Sequence, residues 1–188
     1  MFKLLIFLTF AYFAQTQVPS LERCPNVTTV SDFKLNEYLG KWYEAKKYFM
    51  IFELSGRCIT ATYKEENGTI TVLNEEIETL TGSTKTIEGT AKNVGNADEA
   101  KLAVTFPELP VKFEAPYWVL ETDYTGYSVV WSCVEYGPIS TRFAWVLTRE
   151  QNPSTEVLDK AYAVFDKQNL DKELLLDTDQ TDCPSDNN

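Results

Sequence analysis

The sequence contains no histidine, only two methionines, and fewer basic than acidic side chains. Without an imidazole there is no Ser-His or Cys-His nucleophile pair, no histidine general base and no histidine-ligated metal, which excludes most common hydrolase and metalloenzyme designs. The chain has 17 basic and 28 acidic residues, and its net charge is -11. Nucleic-acid binding draws its affinity from clustered Lys and Arg, so this balance argues against that partner. A chain of 188 residues predicts one domain with a sizeable core.

The first 16 residues are predicted to be a signal peptide. Lys3 supplies the positive start, and the apolar run 4–14 has the length of a signal-peptide core but is too short to span a bilayer as a helix. The small residue Thr16 places the cleavage site next to Gln17, within a few residues. The alternative, an N-terminal membrane anchor, lacks a flanking charge cluster. We therefore expect a secreted, extracellular protein whose single mature domain is 17–188.

Two kinds of covalent modification are expected of an exported chain. The oxidising compartment predicts two disulfides among the four cysteines, which are Cys24, Cys58, Cys133 and Cys183. Four cysteines allow three pairings, and the spacing does not choose between them. No CxxC pair is present, so neither a zinc site nor a thioredoxin-like pair is expected. The sequons at Asn26 and Asn67 are candidate glycosylation sites.

Between Gly40 and Arg149 the apolar residues recur mostly with a period of two, which is typical of β-strands. One such run ends at Asn67-Gly68, a strong two-residue hairpin signal. Eight runs of this kind follow one another, and eight antiparallel strands with short connections can close without exposed edges. We predict an all-β fold, an eight-stranded antiparallel up-and-down barrel over about 40–149.

A barrel of eight strands is wide enough either to be filled by its own side chains or to hold one small ligand. Ala61, Gly89 and Ala91 fall on predicted inward positions, where a filled core would have Leu or Ile. These small residues favour a cavity. The alternative is that they face large residues across the barrel.

One amphipathic helix is predicted after the barrel. Asn152 and Pro153 have the pattern of an N-cap followed by proline at the first helical position, and apolar residues then recur at helical spacing. We expect a helix over about 153–168, packed outside the barrel. The acidic tail to residue 188 is expected to be tied down only through Cys183.

Three short motifs lie at predicted strand ends. Gly40-Lys41-Trp42-Tyr43 begins the first barrel strand, Thr122-Asp123-Tyr124 follows the sixth, and Arg149 ends the eighth. In this order, on eight strands followed by one helix, they resemble the three conserved regions of the lipocalins over essentially the whole mature chain. Longer stretches, such as Gly56-Arg57-Cys58-Ile59 and Ala115-Pro116-Tyr117-Trp118, resemble the apolipoprotein D-like group with its insect, Lazarillo and bilin-binding members.

The resemblance implies how the barrel is closed and cross-linked. It pairs Cys24 with Cys133 and Cys58 with Cys183. It also implies that the motif residues seal the closed end of the barrel rather than contact ligand, with the Arg149 guanidinium stacked on the Trp42 indole. These barrel-closing residues are Gly40, Trp42, Thr122, Asp123, Tyr124 and Arg149.

The resemblance also implies ligand-lining positions. Carried over residue by residue, they are Tyr63, Asn74 and Trp145. Phe106 and Tyr117 are added because their strand parity predicts the same interior face. A buried amide without a partner costs about 1–3 kcal/mol, so an inward Asn74 is expected to meet a water or a polar ligand group.

An apolar run in the loop between the first two barrel strands departs from the usual polarity of loops. It consists of Phe49, Met50, Ile51 and Phe52. In lipocalins this loop borders the open mouth, and we hypothesise that it covers the cavity or dips into a lipoprotein or membrane surface, assisted by Leu109, Val111 and Phe113. The alternative is that the loop folds inward and plugs the barrel.

The expected function is that of a secreted, non-enzymatic carrier of a small hydrophobic ligand such as a retinoid, steroid, fatty acid or similar lipid. Apolar surface leaving water drives binding, at about 25 cal/mol per Å². No cofactor is expected beyond a bound lipid, retinoid or biliverdin. Within the same fold, the alternative is a bilin-binding pigment protein. From other classes, the alternatives are a lipocalin-type enzyme, which needs a free cavity thiol, and a protein-binding signalling ligand that acts through its loops.

Overall fold

The computed structural model describes residues 18–50, 53, 55–96, 98–109 and 114–184. The predicted signal peptide lies outside these residues. Among those described, no helix is both long and apolar enough to cross a membrane.

The described part of the chain forms ten β-strands, two α-helices and one 3₁₀ turn. The strands are β1 Val18–Ser20, β2 Gly40–Lys47, β3 Gly56–Glu66, β4 Thr69–Glu78, β5 Thr84–Asn93, β6 Lys101–Thr105, β7 Ala115–Thr122, β8 Tyr127–Tyr136, β9 Ile139–Thr148 and β10 Leu176–Asp177. The helices are α1 Leu35–Tyr38 and α2 Thr155–Gln168, and the 3₁₀ turn is Lys172–Leu174.

Strands β2 to β9 form the predicted barrel. Each pairs antiparallel with the next along the chain, and β9 pairs back with β2, which closes the sheet. The eight-stranded antiparallel barrel with a helix outside is confirmed. Two short strands extend it: β1 pairs with β9, and β10 pairs with the second half of β2.

The strand directions give the barrel two different ends. Gly40 begins β2 at one end, where the hairpin 67–68 and the turn 123–126 also lie. The connections 48–55, 79–83, 106–114 and 137–138 lie at the opposite end. We call the first the closed end and the second the mouth.

Trp42 and Arg149 fill the closed end. Trp42 is fully buried, and its indole N–H donates to the carbonyl of Tyr38 at 2.8 Å. The Arg149 guanidinium carbon lies 3.7 Å from the centroid of the Trp42 ring system, which is a cation-π contact. The same guanidinium donates to backbone carbonyls of Glu37, Tyr38, Leu39, Lys41 and Tyr124. One cation thereby ties α1, β2 and the β7–β8 turn together.

The other closing residues build the turns around this contact. Asp123 accepts hydrogen bonds from the backbone N–H groups of Thr125, Gly126 and Tyr127, which fixes the β7–β8 turn. Thr122 donates to the Tyr127 carbonyl at 2.6 Å. Gly40 has a φ of +96°, and a Cβ there would lie 3.3 Å from Arg149 Nη1, so glycine leaves room for the guanidinium.

Helix α2 begins two residues later than the sequence predicts. The N-cap is Ser154, whose side-chain oxygen accepts from the Val157 N–H, and not Asn152. Serine at the N-cap satisfies one of the free N–H groups of the first turn, and Pro153 therefore precedes the helix instead of opening it.

Helix α2 packs on the outside of the barrel. The side of the helix that faces the barrel forms a hydrophobic core that is separate from the barrel interior. Ala161, Val164 and Phe165 are buried there against outward-facing Trp131 and Val146. Tyr48 lies in the same core, with its ring 5.9 Å from Trp131 in an edge-on arrangement. The helical periodicity seen in the sequence is thus the contact between helix and barrel.

Two disulfides bind the terminal segments to the barrel. Cys24 is joined to Cys133 on β8, and Cys58 on β3 is joined to Cys183. These are the two pairings that the resemblance implied. Each closes a loop of more than a hundred residues. A disulfide across a long loop reduces the conformational entropy of the unfolded chain more than one across a short loop.

The C-terminal segment is held by much more than Cys183, so the expectation of a tail tied down at one point is wrong. Thr178 and Gln180 are buried, and the Gln180 amide donates to the carbonyls of Glu44 and Ile59. The segment forms β10 because the second half of β2 has no other partner on that edge.

We predict that Trp42→Ala lowers the free energy of unfolding by about 3–5 kcal/mol, the usual effect of removing a buried Trp side chain. Arg149 also loses its stacking partner in this variant. Urea denaturation followed by circular dichroism measures the change. Trp118→Ala, at a half-buried position on the outer wall, is the matched control and should have a clearly smaller effect. Equal stability of Trp42→Ala and wild type contradicts the closing role of Trp42.

Candidate ligand-binding site

The five predicted lining residues lie on the interior side of the barrel. They are Tyr63 on β3, Asn74 on β4, Phe106 after β6, Tyr117 on β7 and Trp145 on β9. Four of them pack on the interior apolar cluster, which includes Val72, Val104, Val130 and Leu147. Asn74 is the register partner of Ala61, which packs on the same cluster, so its side chain shares that face. The structure thus brings all five together; their role in binding remains a prediction.

A chain of hydroxyl groups crosses the interior near the closed end. The Tyr63 hydroxyl donates to that of Tyr117 at 2.8 Å, and Tyr117 shares a further 2.8 Å hydrogen bond with Tyr38. Tyr38 in turn bonds Ser128 at 3.0 Å. Burial raises the pKa of Tyr38 to about 12 and the pKa values of Tyr63 and Tyr117 well above the usual range, so all three phenols stay protonated at neutral pH.

Two members of this chain, Tyr38 and Ser128, are absent from the residues predicted by sequence. Ser128 lies on β8 with Val130, two residues along the same inward face, so strand parity was a usable signal for it. Tyr38 ends the four-residue helix α1. The apolar periodicity of the barrel strands does not extend to so short a helix.

Asn74 presents an unsatisfied acceptor. Its Oδ1 atom is buried and has no hydrogen-bond partner, a property shared among the described residues only by Trp131 Nε1. Trp131 lies in the outer core under α2, whereas Asn74 lies on the interior side. An unpaired buried amide oxygen costs about 1–3 kcal/mol, so a ligand or water that donates to it is stabilised there.

Gly89 and Phe106 correct one part of the cavity argument. A Cβ at Gly89 would lie 2.7 Å from the Phe106 ring and 2.7 Å from the Thr105 carbonyl oxygen. Glycine at this position therefore accommodates the aromatic ring from the neighbouring strand, and it is not evidence for an empty cavity. This is the alternative in which a small residue faces a large one.

Trp145 offers an aromatic face towards the mouth half of the interior. Its ring stacks on Phe143 with the centroids 6.0 Å apart and the planes 12° from parallel. Trp145 is only partly buried, unlike Trp42 and Trp131. A flat, partly accessible aromatic pair of this kind suits a planar apolar ligand.

A cluster of ionisable and polar side chains lies on the same interior side. Glu44 and Lys47 on β2 are the register partners of Leu147 and Trp145, so both face inward. Lys47 Nζ lies 3.0 Å from a Glu44 oxygen and 2.8 Å from a Glu53 oxygen. Thr178 of the C-terminal segment donates to the same Glu44 oxygen at 2.5 Å. These four groups form the Glu44 cluster.

The sequence did not indicate the Glu44 cluster because β2 contains a bulge. The register shifts between Glu44 and Lys46, so the alternation of faces is interrupted at Ala45. A strict period of two would place Lys47 outside the barrel, opposite to where it lies.

Glu44 is the acid whose protonation the fold changes most clearly. Burial, followed by repulsion from Glu53, raises the pKa of Glu44 to about 8, although Lys47 and the Thr178 hydroxyl favour its charged form. One ammonium shared by two buried carboxylates cannot neutralise both, which is why one of them keeps its proton to higher pH. Glu76 responds in the same direction, because burial and Glu53 raise its pKa.

The mouth loop differs from the prediction of a lipid-facing run. Met50 is 1% exposed and Phe49 is partly buried, so the version in which Met50 dips into a lipid surface is wrong, whereas the version in which the run covers the cavity stays a prediction. Met50 lines a cleft beside the C-terminal segment, together with Phe49 and Leu176. Ile51 and Phe52, together with Val111 and Phe113 of the neighbouring loop, lie outside the described residues.

Other apolar side chains are exposed at the mouth. Leu80 in the β4–β5 turn and Tyr136 at the end of β8 are 89% and 60% exposed. Leu109 in the β6–β7 connection and Ile139, the register partner of Tyr136 at the start of β9, are also exposed. We call these four residues the mouth rim.

The predicted modification sites are both on the surface. Asn26 and Asn67 are exposed, and Asn67 adopts a positive φ of 54° in the β3–β4 hairpin. Among the described residues no group of three or more His, Cys, Asp or Glu side chains is arranged to hold a metal ion.

A closed β-barrel with an apolar interior and a few convergent polar groups is the architecture of a carrier for a small hydrophobic molecule. The profile of the Lipocalin / cytosolic fatty-acid binding protein family matches residues 39–182. This chain belongs to that family, as a lipocalin.

Curated relatives and solved structures agree with this assignment. Apolipoprotein D of Macaca fascicularis is 38% identical over 173 residues, covering 91% of this chain and 89% of that protein. The Lazarillo protein of Schistocerca americana is 36% identical over 162 residues, covering 84% and 75%. Among solved structures, insecticyanin from the tobacco hornworm Manduca sexta is similar with a TM-score of 0.77 at 26% identity, over 87% of this chain and 89% of that one.

We predict that the Glu44 cluster makes the protein less stable as the pH rises. The folded-state pKa of Glu44 lies above its unfolded value, so its contribution is fully present below pH 4.5 and is lost as the pH rises through about 8. Thermal unfolding of wild type and Glu44→Gln between pH 5 and pH 9 measures this, and the variant should lose less stability over that range. Glu88→Gln, on the outer face of β5, is the control and should follow the wild type. A Glu44→Gln profile parallel to wild type contradicts the assignment.

Proposed function

We propose that the protein is a secreted carrier that binds one small hydrophobic ligand, such as a retinoid, steroid or fatty acid, in the mouth half of the barrel. The observation that carries this proposal is the buried, unpartnered Asn74 oxygen, which shares the interior face with aromatic and aliphatic side chains. Leaving this oxygen unpaired costs free energy, and a ligand that donates a hydrogen bond to it removes that cost.

The lining divides into an apolar wall and a polar base. Trp145 and Phe143 supply a stacked aromatic wall on β9. The Tyr63 hydroxyl donates its hydrogen bond to Tyr117, so its oxygen remains available as an acceptor towards the interior. Apolar contact supplies the binding free energy, and Tyr63 and Asn74 orient the polar end of the ligand.

The chemistry of the site supports binding without catalysis. All four cysteines are in disulfides, so none supplies the free cavity thiol that the enzymatic alternative needs. The three buried phenols have raised pKa values and remain neutral, which makes them poor nucleophiles at neutral pH. The interior offers positions for contact and orientation.

The bilin-binding alternative is supported by the resemblance to the insect members of the group and by the likeness to insecticyanin. A flat tetrapyrrole suits the Trp145–Phe143 stack as well as a retinoid does. The two ligands differ in colour, so visible absorbance distinguishes them.

The mouth rim supports a further part of the proposal, transient contact with a lipoprotein or neutral membrane surface. Its four apolar residues come from three connections at the mouth, so a surface that contacts them lies over that end of the barrel. The net charge of -11 opposes contact with anionic lipids.

Secretion, cleavage near Gln17 and glycans at Asn26 and Asn67 complete the proposal. Two disulfides fit an oxidising compartment. Both asparagines are exposed, as glycan attachment requires.

We predict saturable binding of all-trans-retinol, progesterone or palmitate, measured by quenching of tryptophan fluorescence. Trp145→Phe should reduce the quenching because Trp145 is the partly accessible tryptophan on the interior face. Asn74→Leu should weaken binding of all-trans-retinol about tenfold, the effect of one lost hydrogen bond. Glu88→Leu, on the outer face of the neighbouring strand, should bind as wild type does.

Native mass spectrometry and visible absorbance of protein purified from its source identify the occupant. A coloured protein that carries the mass of biliverdin favours the bilin alternative. Absence of saturable binding for all three test ligands and for biliverdin refutes the carrier function.

We predict that the mouth rim makes the protein float with phosphatidylcholine vesicles. Leu80→Ser/Ile139→Ser should reduce partitioning at least about tenfold, since burying each such side chain contributes about 1.5–3 kcal/mol. Val94→Ser is the matched control, because Val94 is exposed but lies at the closed end. Equal flotation of the rim variant and the control refutes surface contact through the rim.

A further inference from the structure

The C-terminal segment Leu176–Cys183, which we call the strap, lies between two strands of the barrel wall. Strand β2 pairs with β3 only over Gly40–Tyr43, opposite Thr60–Tyr63. Beyond this point Lys46 and Lys47 pair with β10 at the start of the strap. The strap therefore occupies a seam where the two wall strands separate towards the mouth.

Backbone and side-chain hydrogen bonds join the strap to both sides of the seam. On the β2 side, the Thr178 N–H donates to the Ala45 carbonyl at 3.2 Å. On the β3 side, the Cys58 N–H donates to the Asp179 carbonyl at 2.8 Å. The Gln180 amide spans the seam, since its nitrogen donates to the carbonyl of Glu44 at 3.0 Å and to that of Ile59 at 2.9 Å.

The strap also reaches the interior of the barrel. Glu44 faces inward as the register partner of Leu147, and the Thr178 hydroxyl donates to its carboxylate. Lys47, which binds that carboxylate, is the register partner of Trp145. Only the width of the strap thus separates the ligand side of the wall from the outside at this place.

A cleft lies beside the strap on the mouth side. Its volume is about 280 Å³, and its lining includes Phe49, Met50 and Leu176 together with Lys47 and Arg57. The apolar part of this lining offers a path for a hydrophobic molecule that approaches the seam from the mouth loop.

The attachment of the strap is unequal along its length. At one end the Cys58–Cys183 disulfide and two Arg57 hydrogen bonds, to the carbonyls of Thr181 and Asp182, hold it to β3. At Leu176 and Asp177, before the buried Thr178, the side-chain attachment is an ion pair between Lys46 and the largely exposed Asp177, and exposed pairs contribute little. Local opening is therefore easiest at Leu176 and Asp177, and it extends to Thr178 only when the hydrogen bonds of that residue to Ala45 and Glu44 break.

We propose that the strap is a side gate of the barrel: its first residues separate from β2 to let ligand pass through the seam between β2 and β3, and the Thr178–Glu44 contact keeps the gate closed. This inference rests on the proposed carrier function. Passage through a seam that recloses changes the rates of ligand entry and exit together, and it leaves the affinity of the closed state unchanged.

The test compares a loosened gate with a locked one. Thr178→Val/Gln180→Leu removes the side-chain hydrogen bonds to Glu44 and Ile59 and keeps the disulfide. Lys46→Cys/Asp177→Cys places a disulfide between register partners of β2 and β10 and fastens the first residues of the strap to β2. Lys46→Ser/Asp177→Ser loses the ion pair without a cross-link, and Lys167→Met, which breaks an exposed ion pair with Glu121 on the opposite wall, is the distant control.

The measurement is the release rate of all-trans-retinol to acceptor vesicles, with amide hydrogen exchange at Cys58 and Thr178 as an independent report on the strap. The loosened variant should release all-trans-retinol about tenfold faster and the cross-linked variant several-fold more slowly than wild type, with dissociation constants within about twofold. Lys167→Met should release it at the wild-type rate.

Three outcomes overturn the proposal. Faster amide exchange in the loosened variant without faster release means that ligand leaves only through the mouth. Unchanged amide exchange in both variants means that these contacts do not hold the strap closed. Equal release from the cross-linked and the Ser/Ser variants means that the first residues of the strap do not separate from β2. Wild-type protein that binds no all-trans-retinol, progesterone, palmitate or biliverdin refutes the carrier function itself, which is a distinct result.

Discussion

The pairing of β9 with β2 is the contact on which the rest of the structure depends, because it closes one sheet on itself. A closed sheet has no free edges and divides its side chains into an inner and an outer set. The inner set must fill or line the space that closure encloses, and the outer set is free to pack on α2. Trp42 and Arg149 stabilise this closure at one end, where a single guanidinium satisfies carbonyls from α1, β2 and the β7–β8 turn.

Closure also explains where the polar groups of the interior lie. Near the closed end Tyr38, Tyr63, Tyr117 and Ser128 satisfy one another in a single chain of hydrogen bonds. Towards the mouth, Asn74 has an unsatisfied oxygen and the Glu44 cluster shares one ammonium between two carboxylates. The incompletely satisfied groups thus lie in the half of the barrel that a ligand reaches first. This distribution favours binding at the mouth half and rigidity at the closed end.

The bulge in β2 connects these features to the C-terminal strap. It turns Lys47 inward beside Glu44 while Lys46 faces out towards Asp177. Because β3 has separated from β2 by this point, the edge of β2 is available to β10, and Thr178 reaches the interior carboxylate. One local irregularity in a strand therefore brings the Glu44 cluster together in the interior and leaves the edge of β2 on which the strap lies.

The sequence by itself determined the barrel, its eight strands, the outer helix and the residues at the closed end, because alternation, turn residues and short motifs are local properties of the chain. Parity also placed Tyr63, Phe106, Tyr117 and Trp145 on one face. Only the tertiary structure decided that Ser154 and not Asn152 caps the helix, and it alone decided what depends on contacts between separate segments: Phe106 over Gly89, the burial of Met50, and Thr178 on Glu44. The physical reason is that a strand pattern gives the face of a residue, whereas a bulge, a seam or a partner more than a hundred residues away decides what that face meets.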